Sequence, residues 1–190
     1  MQFSKLICLL LFVSFIFAGT EVSAYNKVHL RELKSSGSCV KCDLTGADLR
    51  NAKLANANLS GSNLRGAIMI LADLQEANLN EANLTEVNLS TANLARSVSV
   101  GANYRSANLT GANFRKANLR KSSFLNVLMM NSNLSRANMR ETNLFGANLS
   151  GSNLEGVDLS LAKLCKTKMP SKGWKSYFVS YETMNTNCKK

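Results

Sequence analysis

The chain is expected to fold as an all-β solenoid, a coil whose path turns a corner once every five residues. Three observations carry that expectation. From Leu44 to Leu164 every fifth residue, 25 in all, is large and apolar except Ser99, with no insertion or deletion. Two places before each of them stands a small or β-branched residue, most often Ala. Eight of the eleven glycines fall at the last place of the same five-residue unit.

Residues 1–24 read as a processing segment. Lys5 supplies a positive start, Leu6 to Ala18 form an apolar run, and Val22-Ser23-Ala24 makes a small-residue cleavage site before Tyr25. The alternative is an amino-terminal membrane anchor, but the run is shorter than the ~20 residues needed to span a bilayer. The expectation is an exported chain, periplasmic or secreted after cleavage near Ala24, with no transmembrane segment in its mature part. Cleavage would remove Lys5 and Glu21, one charge of each sign, so the mature chain keeps the formal +11. That balance favours anionic partners without naming one.

Residues 25–42 are expected to form an amino-terminal cap, in which residues 26–36 make a short amphipathic helix ahead of Cys39-Val-Lys-Cys42. Two further cysteines stand at the far end of the array and past it, Cys165 and Cys188. An even number in an exported chain suggests disulfides, and local bridges Cys39–Cys42 and Cys165–Cys188 are expected. The Cys-x-x-Cys could instead be half of a zinc site or a thiol–disulfide exchange motif. His29 is the chain's one histidine, and zinc usually takes four ligands.

Residues 43–165 carry the repeat Ala-Asn/Asp-Leu-x-x. Period five suits neither standard element. On an α-helix at about 100° per residue, successive leucines would spiral around every side. On a flat strand, where side chains alternate, they would alternate between faces. A corner in every unit puts each Leu and its preceding small residue inside, and the Asn/Asp and the last two residues outside. The last-place glycines, among them Gly46, Gly61, Gly66, Gly101, Gly111 and Gly146, fit a turn that needs positive φ.

Units such as Gly46-Ala47-Asp48-Leu49, Ala107-Asn108-Leu109 and Gly146-Ala147-Asn148-Leu149 resemble the pentapeptide-repeat proteins. The resemblance implies a right-handed quadrilateral β-helix with four units per coil, hence ~6 coils and a rod of ~30 Å at the strand spacing. The Cys-x-x-Cys-Asp-Leu opening is similar to the entry of exported members. Residues 166–190 are expected to close the far end through Trp174, Tyr177, Phe178 and Tyr181, because a solenoid needs covered ends.

No catalytic constellation is legible, and the chain is not expected to be an enzyme or to need a cofactor or metal. The family's acidic, topoisomerase-binding DNA mimics are a poor match for a basic chain. Two outward surfaces are candidates. The consensus lapses at Ile68, Ile70, Leu125, Leu128 and Met130, and these with Phe145 are expected to form an apolar face for a protein partner or a second copy of the chain. Counting four sides per coil, Arg96, Arg115, Lys116 and Arg136 fall on the third side, and Arg120, Lys121 and Arg140 on the fourth. That basic strip is the alternative surface, suited to an anionic envelope polymer or lipid head groups, or is simply a solvated face. Tyr104 and Phe114 occupy inward positions, so specific nucleic-acid binding lacks its stacking residues.

Overall fold

A computed structural model describes residues 25–171. The cleavage segment, Trp174, Tyr177, Phe178, Tyr181 and Cys188 lie outside the described residues. The array is a right-handed quadrilateral β-helix. Every bridge is parallel and joins residues 20 apart, such as Asp43 to Asn63 and Asn63 to Asn83. One coil is therefore four units, and a residue's neighbour on the next coil is always its twentieth successor.

The hydrogen bonds explain why five residues suffice for a side and a corner. Leu44 N–H donates to Asn63 O at 2.8 Å, and Asn63 N–H donates to Cys42 O at 2.8 Å, which ties the side to the coil above. Ala47 N–H then donates back to Leu44 O at 3.0 Å, closing a four-residue turn. The third residue of that turn, at the last place of the unit, has positive φ in every unit from Gly46 to Lys166, as a type II turn demands. Glycine meets the demand at only some corners. Leu71, Thr91, Arg96 and Leu161 adopt the same left-handed conformation, at a cost of about 1–2 kcal/mol for a residue with a Cβ.

The Asn/Asp place has a structural task. Its side-chain oxygen accepts the backbone N–H two residues on, as in Ser60 N to Asn58 Oδ1 at 3.2 Å, and so stiffens the entry to the corner. Several of these amides also bond the coil below, including Asn78 Nδ2 to Asn58 Oδ1 at 3.2 Å and Asn113 Nδ2 to Asn93 Oδ1 at 3.1 Å.

The core is the column of Leu, Met, Tyr and Phe side chains with the Ala, Ser and Val residues beside them, nearly all fully buried. Ser99 is matched by its neighbour. Tyr104, on the next side, is fully buried, and its hydroxyl meets Ser99 Oγ at 2.9 Å in the space a leucine would fill. Burial drives the phenol's pKa far upward, so it stays neutral. Its ring stacks on Phe124 one coil up, with centroids 4.9 Å apart, and meets Phe114 edge-on at 6.1 Å.

Helix α1, Lys27–Ser36, covers the first coil. Asn26 caps it by accepting from Val28 N–H at 2.8 Å, and Gly37 ends it with φ 67°. Leu33 is buried in the core, with Tyr25 and Leu30 packed against it. Asp43 N–H donates to His29 Nδ1 at 2.9 Å, which binds the helix to the first repeat.

Candidate functional site

The 20-residue register turns sequence positions into columns. With Cys42–Gly46 as side one, Arg105, Leu125, Phe145 and Cys165 stand in one column on side one. Asn108, Leu128, Asn148 and Lys168 form another on side two, joined by consecutive bridges. Leu128 is 46% exposed and Phe145 36% exposed, while Leu125 and Met130 are partly buried. The apolar surface on sides one and two is thus smaller than the six expected residues suggest. Cations rim it: Arg105 lies below Leu125, and Lys166 Nζ sits 5.5 Å from the centre of the Phe145 ring.

Ile68 and Ile70 are both partly buried, three coils away from Leu128 and Met130 on side two. Beside them Leu71 is 60% exposed, and near the far end Leu161 is 72% exposed. Both were missed because their place in the unit reads as a glycine corner. The geometry signals them: a side chain on the left-handed residue of a type II turn projects outward.

The seven residues of the basic strip stand on sides three and four, as their spacing implies. Its run from Arg96 to Arg140 contains no acid in sequence, yet the fold brings two carboxylates onto it. Glu141 contacts Arg120 at 2.8 Å, Arg140 at 3.7 Å and Lys121 at 3.9 Å, so the fourth-side half is paired. The hydrogen bond from Arg120, aided by the nearby charges, holds the Glu141 carboxyl below its ordinary value. Arg96 pairs with Glu76 one coil below, at 3.1 Å. Arg115, Lys116 and Arg136 have no ion pair among the described residues. These exposed pairs contribute little stability, but they redraw the strip: within it, the cations without a carboxylate partner among the described residues, Arg115, Lys116 and Arg136, all stand on side three.

Cys39 and Cys42 are bonded to each other, with Cα atoms 5.5 Å apart, and both are buried. The Glu32 carboxylate lies within 4.8 Å of both sulfurs. Sulfurs spent on a disulfide do not serve as thiolate ligands, so the half-zinc alternative has no donor set in this state. Cys165 is buried and also disulfide-bonded; its expected partner, Cys188, lies outside the described residues. Among the described residues no helix is long and apolar enough to cross a membrane.

The coil, its corners and its repeat define a class, and sequence comparison gives the same answer. The model for pentapeptide repeats matches in 8 copies, over residues 42–80, 72–103, 107–144, 126–160 and 142–169. The chain belongs to the pentapeptide-repeat family. A search of curated proteins finds no match. Among solved structures it is similar to the plasmid-mediated fluoroquinolone-resistance protein QnrB1, at 21% identity over 70% of this chain and 78% of that one, with a TM-score of 0.33. It is also similar to HetL of Nostoc sp. strain PCC 7120, a protein involved in regulating heterocyst differentiation. That match has 27% identity over 66% and 73% of the two chains and a TM-score of 0.25. Rfr23 of the cyanobacterium Cyanothece 51142 matches at 27% identity over 75% and 97%, with a TM-score of 0.31.

Proposed function

We propose that the protein is an exported, non-enzymatic binding rod that docks a protein partner on the apolar face around Leu128 and Phe145. The carrying observation is the exposure of these two large side chains on adjoining sides of a rod whose repeat puts Asn or Asp at the Leu128 place in 19 of its 25 units. The partner is more consistent with a different protein than with a second copy. Arg105, Lys166 and Lys168 surround the face, and a chain of formal charge +11 meeting itself there would set like charges together. A complementary surface would be apolar at its centre and acidic at its rim. Membership of a family of non-catalytic repeat rods supports the absence of enzymatic activity.

The test uses mature residues 25–190 as bait in an envelope extract, then titration of the recovered protein after purification. Leu128→Glu is expected to weaken that interaction at least ~100-fold, with the thermal midpoint of the rod unchanged. Equal binding by the variant removes the apolar face from the reading. Elution of the free protein as a dimer that Leu128→Glu dissociates would replace the partner with a second copy. Amino-terminal sequencing of the exported protein tests the cleavage, with Tyr25 the expected first residue.

A further inference from the structure

Side three carries a feature that the docking face does not use. Its outer column reads Gln75, Ala95, Arg115, Ser135 and Glu155, and the corner column beside it reads Glu76, Arg96, Lys116, Arg136 and Gly156. Ala95 is the one short gap between Gln75 and Arg115. The gap opens a hollow of about 310 Å³ lined by Gln75, Asn93, Ala95, Arg96, Asn113, Arg115 and Lys116.

The floor of this hollow is held rigidly. Asn113 Nδ2 donates to Asn93 Oδ1 at 3.1 Å, and Asn93 Nδ2 donates to Asp73 Oδ1 at 3.0 Å. Asp73 also accepts Gln75 N–H at 3.2 Å, so its carboxylate is already engaged by the protein. The walls are cationic. Arg115 and Lys116 have no carboxylate partner among the described residues, and Arg136 stands one coil above Lys116. Like charges one strand spacing apart (~4.8 Å) repel, and an anion placed among them relieves that repulsion.

We infer that this hollow is a binding site for a small multivalent oxyanion, bearing phosphate or carboxylate groups and held by Arg115 and Lys116, with Arg96, already paired to Glu76, lining its lower edge. Its extent argues for a small ligand. The cations of the corner column span ~10 Å from Arg96 to Arg136, with Glu76 below them and Glu155 above Arg115 on the same side. A flat lipid surface or a long polyanion laid along side three would meet those carboxylates. A compact ligand with two or three negative charges fits between them, and guanidinium forks suit either kind of oxyanion.

The experiment is calorimetric titration of mature protein with inorganic tripolyphosphate and, in a separate arm, citrate. The comparison of arms separates phosphate-bearing from carboxylate-bearing ligands. Binding by either is expected, weakened at least tenfold in Arg115→Gln/Lys116→Gln. Arg65→Gln removes one positive charge from side one and is expected to change nothing. Ala95→Phe fills the hollow without altering charge, at a turn position where Phe145 already stands in another unit, and is expected to abolish binding with the thermal midpoint retained. Absence of binding in both arms overturns the inference. So does binding that Ala95→Phe leaves intact, or that Arg65→Gln weakens as much as the double variant, since attraction is then to net charge alone. Leu128→Glu is expected to leave this binding unchanged, which keeps the test independent of the docking face.

Discussion

The lower and upper coils keep the same register by different means. From Leu44 to Leu94 the interior column is leucine with Met69, and the outer rows carry amide bonds between coils at Asn58–Asn78, Asn63–Asn83 and Asp73–Asn93. From Ser99 to Met139 the interior turns to Tyr104, Phe114, Phe124, Met129 and Met139, and the outer row is broken by Ser123 and Leu128. The backbone ladder is the same in both. The lower half therefore reinforces the ladder from outside, and the upper half from within. Where the amide row lapses, the upper coils present Leu128 outward.

The sharpest way to break the upper half is Tyr104→Ala. It removes a buried ring, its stack on Phe124 and the partner of the Ser99 hydroxyl, and is expected to cost about 3–5 kcal/mol in urea unfolding. Ser99→Leu, which restores the repeat, is expected to destabilise by about 1–3 kcal/mol because the tyrosine already fills the space. Adding Tyr104→Leu to it should recover most of that loss. A double variant worse than both single ones would deny the coupling.

Gly146→Ala comes next, at about 1–2 kcal/mol. Its backbone has φ 69°, and a new Cβ would press on Asn126 Oδ1. Gly66→Ala, with nothing within 4 Å of the new atom, should cost less, and equal losses would mean that the turn alone matters. In the lower coils Asn93→Ala is expected to cost about 1 kcal/mol through lost amide bonds, measured as a shift in the same urea midpoint.

The smallest effect is expected at Glu141. Because its folded pKa lies below the ordinary 4.5, its pairing stabilises above that value and is lost as pH falls through the lowered one. Glu141→Gln should therefore flatten the acid side of the thermal midpoint's pH profile. A parallel shift of the whole profile would place the effect elsewhere.

The solenoid was legible because an odd, unbroken period admits only a cornered path; its handedness came from the family resemblance. What stayed hidden was set by neighbours 5 or 20 residues away. Ser99 is the one exception in the apolar column, and only the fold brings the Tyr104 hydroxyl across the corner to meet it. A linear charge count stopped at Arg140, whereas the register brings Glu141 beside Arg120 and Lys121. Leu71 was overlooked because a column seeded with glycine suggested corners without side chains, and the turn accepts others at a modest cost.

The 20-residue register also sets the quantum in which this molecule can change length. Duplicating one unit between Arg96 and Arg115 keeps every leucine inside and every corner intact, yet it rotates all later residues by one side and separates Arg115 and Lys116 from Arg96. Duplicating four units adds a whole coil, and everything above the insertion keeps its facing. Growth by fives preserves the fold, but only growth by twenties preserves the surfaces.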